Sequence, residues 1–153
     1  MPLLDAQITA MGCVASVTIY LSAGRVQAIT QAGQNLPNPF SGTGLIDPGA
    51  SNTMICRSVV QALGLQPTGI GQMLTPSTGS TPHQCNQYDV SVWFPQMPTL
   101  VQSQPTAHPV HLTLPVAEGD FSKHGFQVLI ARDILAHGVF IYNGLAARFT
   151  LAF

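Results

Sequence analysis

The chain has 153 residues, of which 46% are apolar and only 7% are Asp, Glu, Lys or Arg, with a net charge of −1. That length suits one domain with an adequate core, since ~100–200 residues per domain is usual, and the apolar share excludes disorder driven by charge excess. The basic residues Arg25, Arg57, Lys123, Arg132 and Arg148 are scattered, so there is no basic face for a nucleic-acid backbone.

Ordinary soluble domains are about 25% charged, so this surface must take its polarity from Ser, Thr, Gln, Asn and His. Weak charge also gives weak protection against self-association, which favours an oligomer. Cys13, Cys56 and Cys85 are odd in number, widely spaced and without a CxxC. They read as buried small apolar residues in a reducing, cytoplasmic compartment. The N-terminus lacks a basic region followed by an apolar stretch and a cleavage site, so no signal peptide is expected. No run of ~18 apolar residues is present to span a membrane.

Strand-like alternation dominates the chain. Val14 to Leu21 is β-rich, Ser22-Ala23-Gly24 reads as a turn, and Arg25 to Thr30 as its hairpin partner. Gly33 to Thr43, rich in Gly, Pro and Asn, reads as a loop. Leu45 and Ile46 then lead into Asp47-Pro48-Gly49-Ala50-Ser51. Ser58 to Leu65 carries apolar residues at helical spacing, and Gly64 suits its C-terminal cap. Thr75 to Pro82 is small and polar throughout. Tyr88, Val90, Val92 and Phe94 alternate with polar neighbours and with Trp93, which marks a half-buried strand. Pro95 to Pro109 is a proline-rich loop, and Val110, Leu112, Leu114 and Val116 give a second alternation. Phe126 to Ile130 reads as a buried strand, and Ala131 to Ala136 as a short helix stopped by Gly138. Val139 to Tyr142, a turn at Asn143-Gly144, and Arg148 to Phe153 form a terminal hairpin. Short strands with turn-rich joins imply an all-β barrel or sandwich.

The acid turn holds one of only six carboxylates in the chain. Burying a carboxylate is costly without compensating charge or hydrogen bonds. The bland reading is an Asx-type turn, in which the carboxylate accepts backbone N–H groups. If two copies of Asp47 come together, repulsion between like charges raises one pKa, and the pair can share a proton.

Asp47, Gly49 and Ala50 after an apolar pair, followed by Ile130, Arg132 and Asp133 ahead of a short helix, resemble the retropepsin-like aspartic proteases, the single-domain bacterial type in particular. The resemblance covers Leu45 to Phe153. It implies an all-β acid-protease barrel with one or two short helices and an active site on a homodimer twofold. Residues 44–153 would be the protease domain, and residues 1–43 N-terminal strands and loop of the same domain. Asp47 and its symmetry mate would be catalytic. Gly49, Ala50 and Ser51 would line the cleft floor, and Ser77, Thr78 and Gly79 would sit in a flap that closes over an extended peptide. Pro48, Arg132 and Asp133 would be structural, at the dimer base. Tyr142, Phe149, Leu151 and Phe153 would supply terminal strands to the interface.

Two positions depart from the family pattern. Pro48 replaces a Thr or Ser whose hydroxyl and N–H bond across the twofold, and proline has neither group. Ala131 replaces a Gly, which is tolerated at negative φ and strained at positive φ. The resemblance therefore carries two outcomes: a homodimeric aspartic endopeptidase, or a catalytically impaired homologue acting as a peptide-binding module. No cofactor and no metal is expected. His108-x-x-His111 lacks an acid or Cys at ligand spacing and reads as surface or strand histidines. Trp93 reads as a packing or interface residue.

Overall fold

The computed structural model describes residues 2–74, 80–95 and 110–153. In chain order the elements are β1 (Leu3–Gln7), β2 (Val14–Leu21), α1 (Ala23–Gln31), β3 (Phe40–Ile46), β4 (Met54–Cys56), α2 (Arg57–Leu63) and β5 (Gly69–Met73). They continue with β6 (His83–Phe94), β7 (Val110–Gly119), β8 (Val128–Ile130), α3 (Arg132–Leu135), β9 (Val139–Asn143) and β10 (Arg148–Ala152). A 3-10 turn, Ser122–His124, precedes β8.

The alternating apolar residues of the sequence become the buried faces of the strands. In β2, Ala15, Val17, Ile19 and Leu21 are buried; in β6, Tyr88, Val90, Val92 and Phe94 are. Their strands close a barrel in the order β2-β3-β8-β4-β7-β6, with β6 returning to β2. The length of β6 makes the closure possible. Its Val90–Trp93 stretch pairs with β2, while its His83–Gln87 stretch carries β5 as a hairpin arm outside the ring. Closure removes the unpaired strand edges that an open sheet would present. Trp93 packs its ring 4.6 Å from that of His111. His108 lies outside the described residues.

Arg25 to Thr30 is not a hairpin strand but most of helix α1. The Val26 N–H donates to the Ser22 carbonyl and starts the helix. Val26 and Ile29, three apart on one face, pack against the core. The barrel neighbours that a hairpin partner would have needed are β3 and β6, which already occupy both edges of β2. With α2 and α3 the described residues hold three α-helices rather than one or two. Helix α2 ends as the sequence suggests. Gly64 takes φ 58°, ψ 37°, the left-handed cap conformation that favours glycine.

A second, three-stranded sheet has the order β1-β10-β9. Here the terminal residues differ from expectation. Phe149 and Leu151 are 1% and 0% exposed within the single chain, because β10 is the central strand of this sheet and turns one face into the core. Phe153 packs 5.3 Å from Phe94. Of the four residues assigned to an interface, Tyr142 on β9 stands out in solvent.

Candidate active site

Asp47 follows β3, which runs parallel to β8 with Leu45 opposite Leu129 and Ile46 opposite Ile130. The two strands end side by side, one in the acid turn and the other in α3. The Asp47 N–H donates to the Ile130 carbonyl (2.9 Å), so the acid begins where the ladder stops. The turn is then closed twice. The Ala50 N–H donates to the Asp47 carbonyl (3.2 Å), and the Gly49 N–H donates to Asp47 Oδ1 (2.8 Å). That second bond fixes the direction of a half-buried carboxylate. A Cβ at position 49 would stand 3.0 Å from Asp47 Oδ1, so a larger residue there would press on the carboxylate that this turn orients.

Pro48 occupies the second position of this turn and is exposed. Proline is favoured there because its φ is already set, and neither closing bond calls on its missing N–H. Within the chain, the substitution costs the turn nothing. Ala131 is likewise accommodated, with an extended backbone at φ −106°, ψ −173° and full burial. The strain that a positive φ would bring does not arise.

The segment after the acid turn is clamped to the segment after β8. Thr53, fully buried, donates its N–H to Asp133 Oδ2 (2.7 Å) and its hydroxyl to Asp133 Oδ1 (2.6 Å). The same hydroxyl oxygen accepts the Ala131 N–H (3.1 Å). Asp133 Oδ1 also accepts the Ile134 N–H at the start of α3 (2.8 Å). Arg132 donates its backbone N–H to the Ala50 carbonyl (3.2 Å) and its Nη2 to Ser51 Oγ (2.6 Å). Arg132 and Asp133 are therefore not a solvated pair with each other; both hold the loop that carries Asp47. Thr53 is the residue that sequence reading missed. Its only signal was a Thr six residues past the acid, and its partner lies 80 residues away.

The structure thus gathers Asp47, Pro48, Gly49, Ala50, Ser51, Arg132 and Asp133 into one hydrogen-bonded unit. Ser77, Thr78 and Gly79 lie outside the described residues. The strands β5 and β6 on either side are described, with Met73 opposite His83 at the last register pair.

A second polar network lies at the base of that hairpin. Glu118, at the end of β7, accepts Tyr88 Oη–H (2.7 Å) and Arg57 Nε–H (2.9 Å). These two donors, Tyr88 foremost, hold the Glu118 carboxyl below the ordinary carboxylate range. Burial, and then the Glu118 hydrogen bond, push the Tyr88 phenol up. Burial also pushes the Cys13, Cys56 and Cys85 thiols up. No group of three or more metal-ligating side chains occurs among the described residues.

No family model and no curated protein matches the chain. Among solved structures it is similar to a retropepsin-like aspartic protease from Rickettsia conorii. The TM-score is 0.53 at 12% identity, over 97% of this chain and 89% of that one. The fold is retropepsin-like. At that identity the likeness carries the architecture and no residue assignment. No helix among the described residues is long and apolar enough to cross a membrane.

Proposed function

We propose that this chain is an aspartic endopeptidase acting as a homodimer, with Asp47 of each copy forming the catalytic pair. The observation that carries the reading is the Asp47 turn. A lone acid is delivered by a barrel strand into a rigid turn, with Oδ1 pinned by the Gly49 N–H, in a retropepsin-like fold. Each chain holds one such turn, so a two-carboxylate site needs a second copy.

In the pair, repulsion keeps one carboxyl protonated beside one ionised partner. The ionised oxygen takes a proton from a water between them, and that water's oxygen attacks the peptide carbonyl. The protonated carboxyl gives its proton to the carbonyl oxygen. Collapse of the tetrahedral intermediate then breaks the C–N bond as a carboxyl protonates the leaving nitrogen. The pH dependence belongs to the pair rather than to either copy. The β5–β6 hairpin would be the flap, pairing its main chain with an extended substrate.

The exposed strand β9 supports the second copy. Val139, Ile141 and Tyr142 are 53%, 54% and 62% exposed, and Leu145 in the following turn is fully so. Edge strands are usually blunted by charge or proline; β9 has neither. A strand meeting its own copy antiparallel across a twofold is self-complementary. Residues 1–43 and 44–153 would fold together as one domain, and the location would be cytoplasmic.

The test is cleavage of a peptide mixture between pH 3 and 7, with wild type and Asp47→Asn compared over a range of protein concentrations. Activity that vanishes with the substitution and rises more steeply than concentration supports the reading. An inert wild type at every concentration leaves the non-catalytic peptide-binding module as the account.

A further inference from the structure

Arg132 spends little of its hydrogen-bonding capacity on the loop that carries Asp47. Its backbone N–H holds the Ala50 carbonyl, and one Nη2–H holds Ser51 Oγ (2.6 Å). A guanidinium is a planar fork of N–H donors that keeps its charge at any working pH. The rest of this fork donates to nothing among the described residues.

The charge is left over as well. The ion pairs among the described residues are Arg57–Glu118 and Arg148–Asp5, and neither involves Arg132. Asp133, next in sequence, is committed elsewhere: its oxygens take the Thr53 N–H, the Thr53 hydroxyl and the Ile134 N–H. Asp47 has Oδ1 on the Gly49 N–H. These two carboxylates temper the field of Arg132 without capping it. A charge-assisted hydrogen bond acts at ~2.8 Å, where direct contact outweighs charges further off. Ser51 adds a second donor. Its oxygen accepts from Arg132, so its own hydroxyl proton remains, and no bond among the described residues uses it. Both residues are exposed. An open pair of donors, one of them a fixed cation, calls for an acceptor carrying negative charge.

Their place relative to the acid follows from the turn. The Ala50 N–H donates to the Asp47 carbonyl, and such a closure brings the Cα atoms at its two ends within ~7 Å. Ser51 is one Cα step of ~3.8 Å further. An extended peptide advances ~3.3 Å per residue, so a side chain two or three positions from the scissile bond is the one that reaches Ser51 and Arg132. A twofold would set one such pair of donors on each side of the cut.

We propose that Arg132, with the Ser51 hydroxyl, is a specificity site for an acidic residue, Asp or Glu, two or three positions from the scissile bond of a peptide substrate. The inference rests on the reading of Asp47 as a peptidase centre, and it adds the charge that the cleft would select. Arg132 meets the substrate side chain and not the reacting atoms.

The experiment uses one peptide series with Glu, Gln or Lys placed in turn at each position near the cut, assayed with the full chain at about pH 6, where Glu is ionised. Gln keeps the shape and removes the charge. Two or three residues from the cut, Glu should exceed Gln by about fivefold in kcat/KM, and Lys should be poorer than Gln. Raising NaCl from about 0.05 M to about 0.5 M should cut that preference to about twofold. Arg132→Gln should abolish the preference, and Arg132→Glu should turn it over in favour of Lys. A purely structural Arg132 would lower turnover of the three peptides alike and leave their ratio unchanged, and that result overturns the proposal. Equal turnover of the three by wild type overturns it too. If wild type cleaves no peptide, the peptidase reading fails by itself. The series is then read by fluorescence anisotropy on the same protein. Tighter binding of the Glu peptide upholds the acidic site, and equal or absent binding rejects it.

Discussion

The acid turn and the terminal sheet are built on opposite terms. Around Asp47 the chain finishes its own polar accounting: Thr53, Asp133, Arg132 and Ser51 satisfy one another through a set of short bonds between two distant segments. In the terminal sheet the chain is left unfinished. One face of β10 is fully buried, while β9 beside it presents Val139, Ile141 and Tyr142 to water. The contrast separates two requirements. Holding one carboxylate in place needs a single chain, and the proposed pairing of two would draw on the apolar surface that β9 leaves exposed.

The largest effect should come from the acid itself. Asp47→Asn should lower peptide cleavage by ~10²–10⁴-fold or more, the range for loss of a positioned acid–base group, with the unfolding midpoint little changed. Next comes the clamp. Asp133→Ala strands the N–H and hydroxyl of fully buried Thr53, and chemical denaturation should register a loss of about 2–4 kcal/mol. Thr53→Val keeps the volume but breaks the hydroxyl link to Ala131 and Asp133, so its cost should be smaller, about 1–2 kcal/mol.

On the terminal sheet the effect should shift from stability to assembly. Ile141→Lys puts a charge on a strand that has none. The dimer dissociation constant from sedimentation should rise at least tenfold, with monomer stability within about 0.5 kcal/mol of wild type. Truncating Phe149 to Phe153 is a poor probe of the interface, because Phe149 and Leu151 are core residues and their loss unfolds the chain.

The mildest effect concerns pH. The lowered folded-state pKa of Glu118 means that its contribution is fully present above the unfolded carboxylate value of about 4.3. It is lost as pH falls through the lower folded value. Stability measured from pH 6 down to pH 3 should therefore decline less steeply in Glu118→Gln than in wild type, over that acid window.

The sequence made the barrel strands legible where one face is buried and the other wet. Tyr88, Val90, Val92 and Phe94 alternate in the sequence and all four are buried, although Ser91 between them is covered as well. It misled at Arg25 to Thr30, where Val26, Ile29 and Thr30 are β-branched and the preceding Ser-Ala-Gly looks like a turn. There, a half-buried face three residues apart decided for helix over local propensity. The terminal hairpin was located correctly, but Phe149 and Leu151 are core residues of the single chain; an apolar strand face looks the same in sequence whether its own core or another copy covers it. The Asp47 turn could be read from its small residues. Its clamp could not, since Thr53 and Asp133 meet only through the parallel β3–β8 pairing.

Mixing subunits tests the central claim most directly. Wild-type and Asp47→Asn chains are unfolded together in equal amounts, refolded at fixed total concentration and assayed for cleavage. If each site needs an acid from both copies, only the dimers formed from two wild-type chains are active, and roughly a quarter of the wild-type rate should remain. Retention of about half the rate, in proportion to the wild-type chains present, would mean that a single Asp47 suffices and would contradict the shared carboxylate pair.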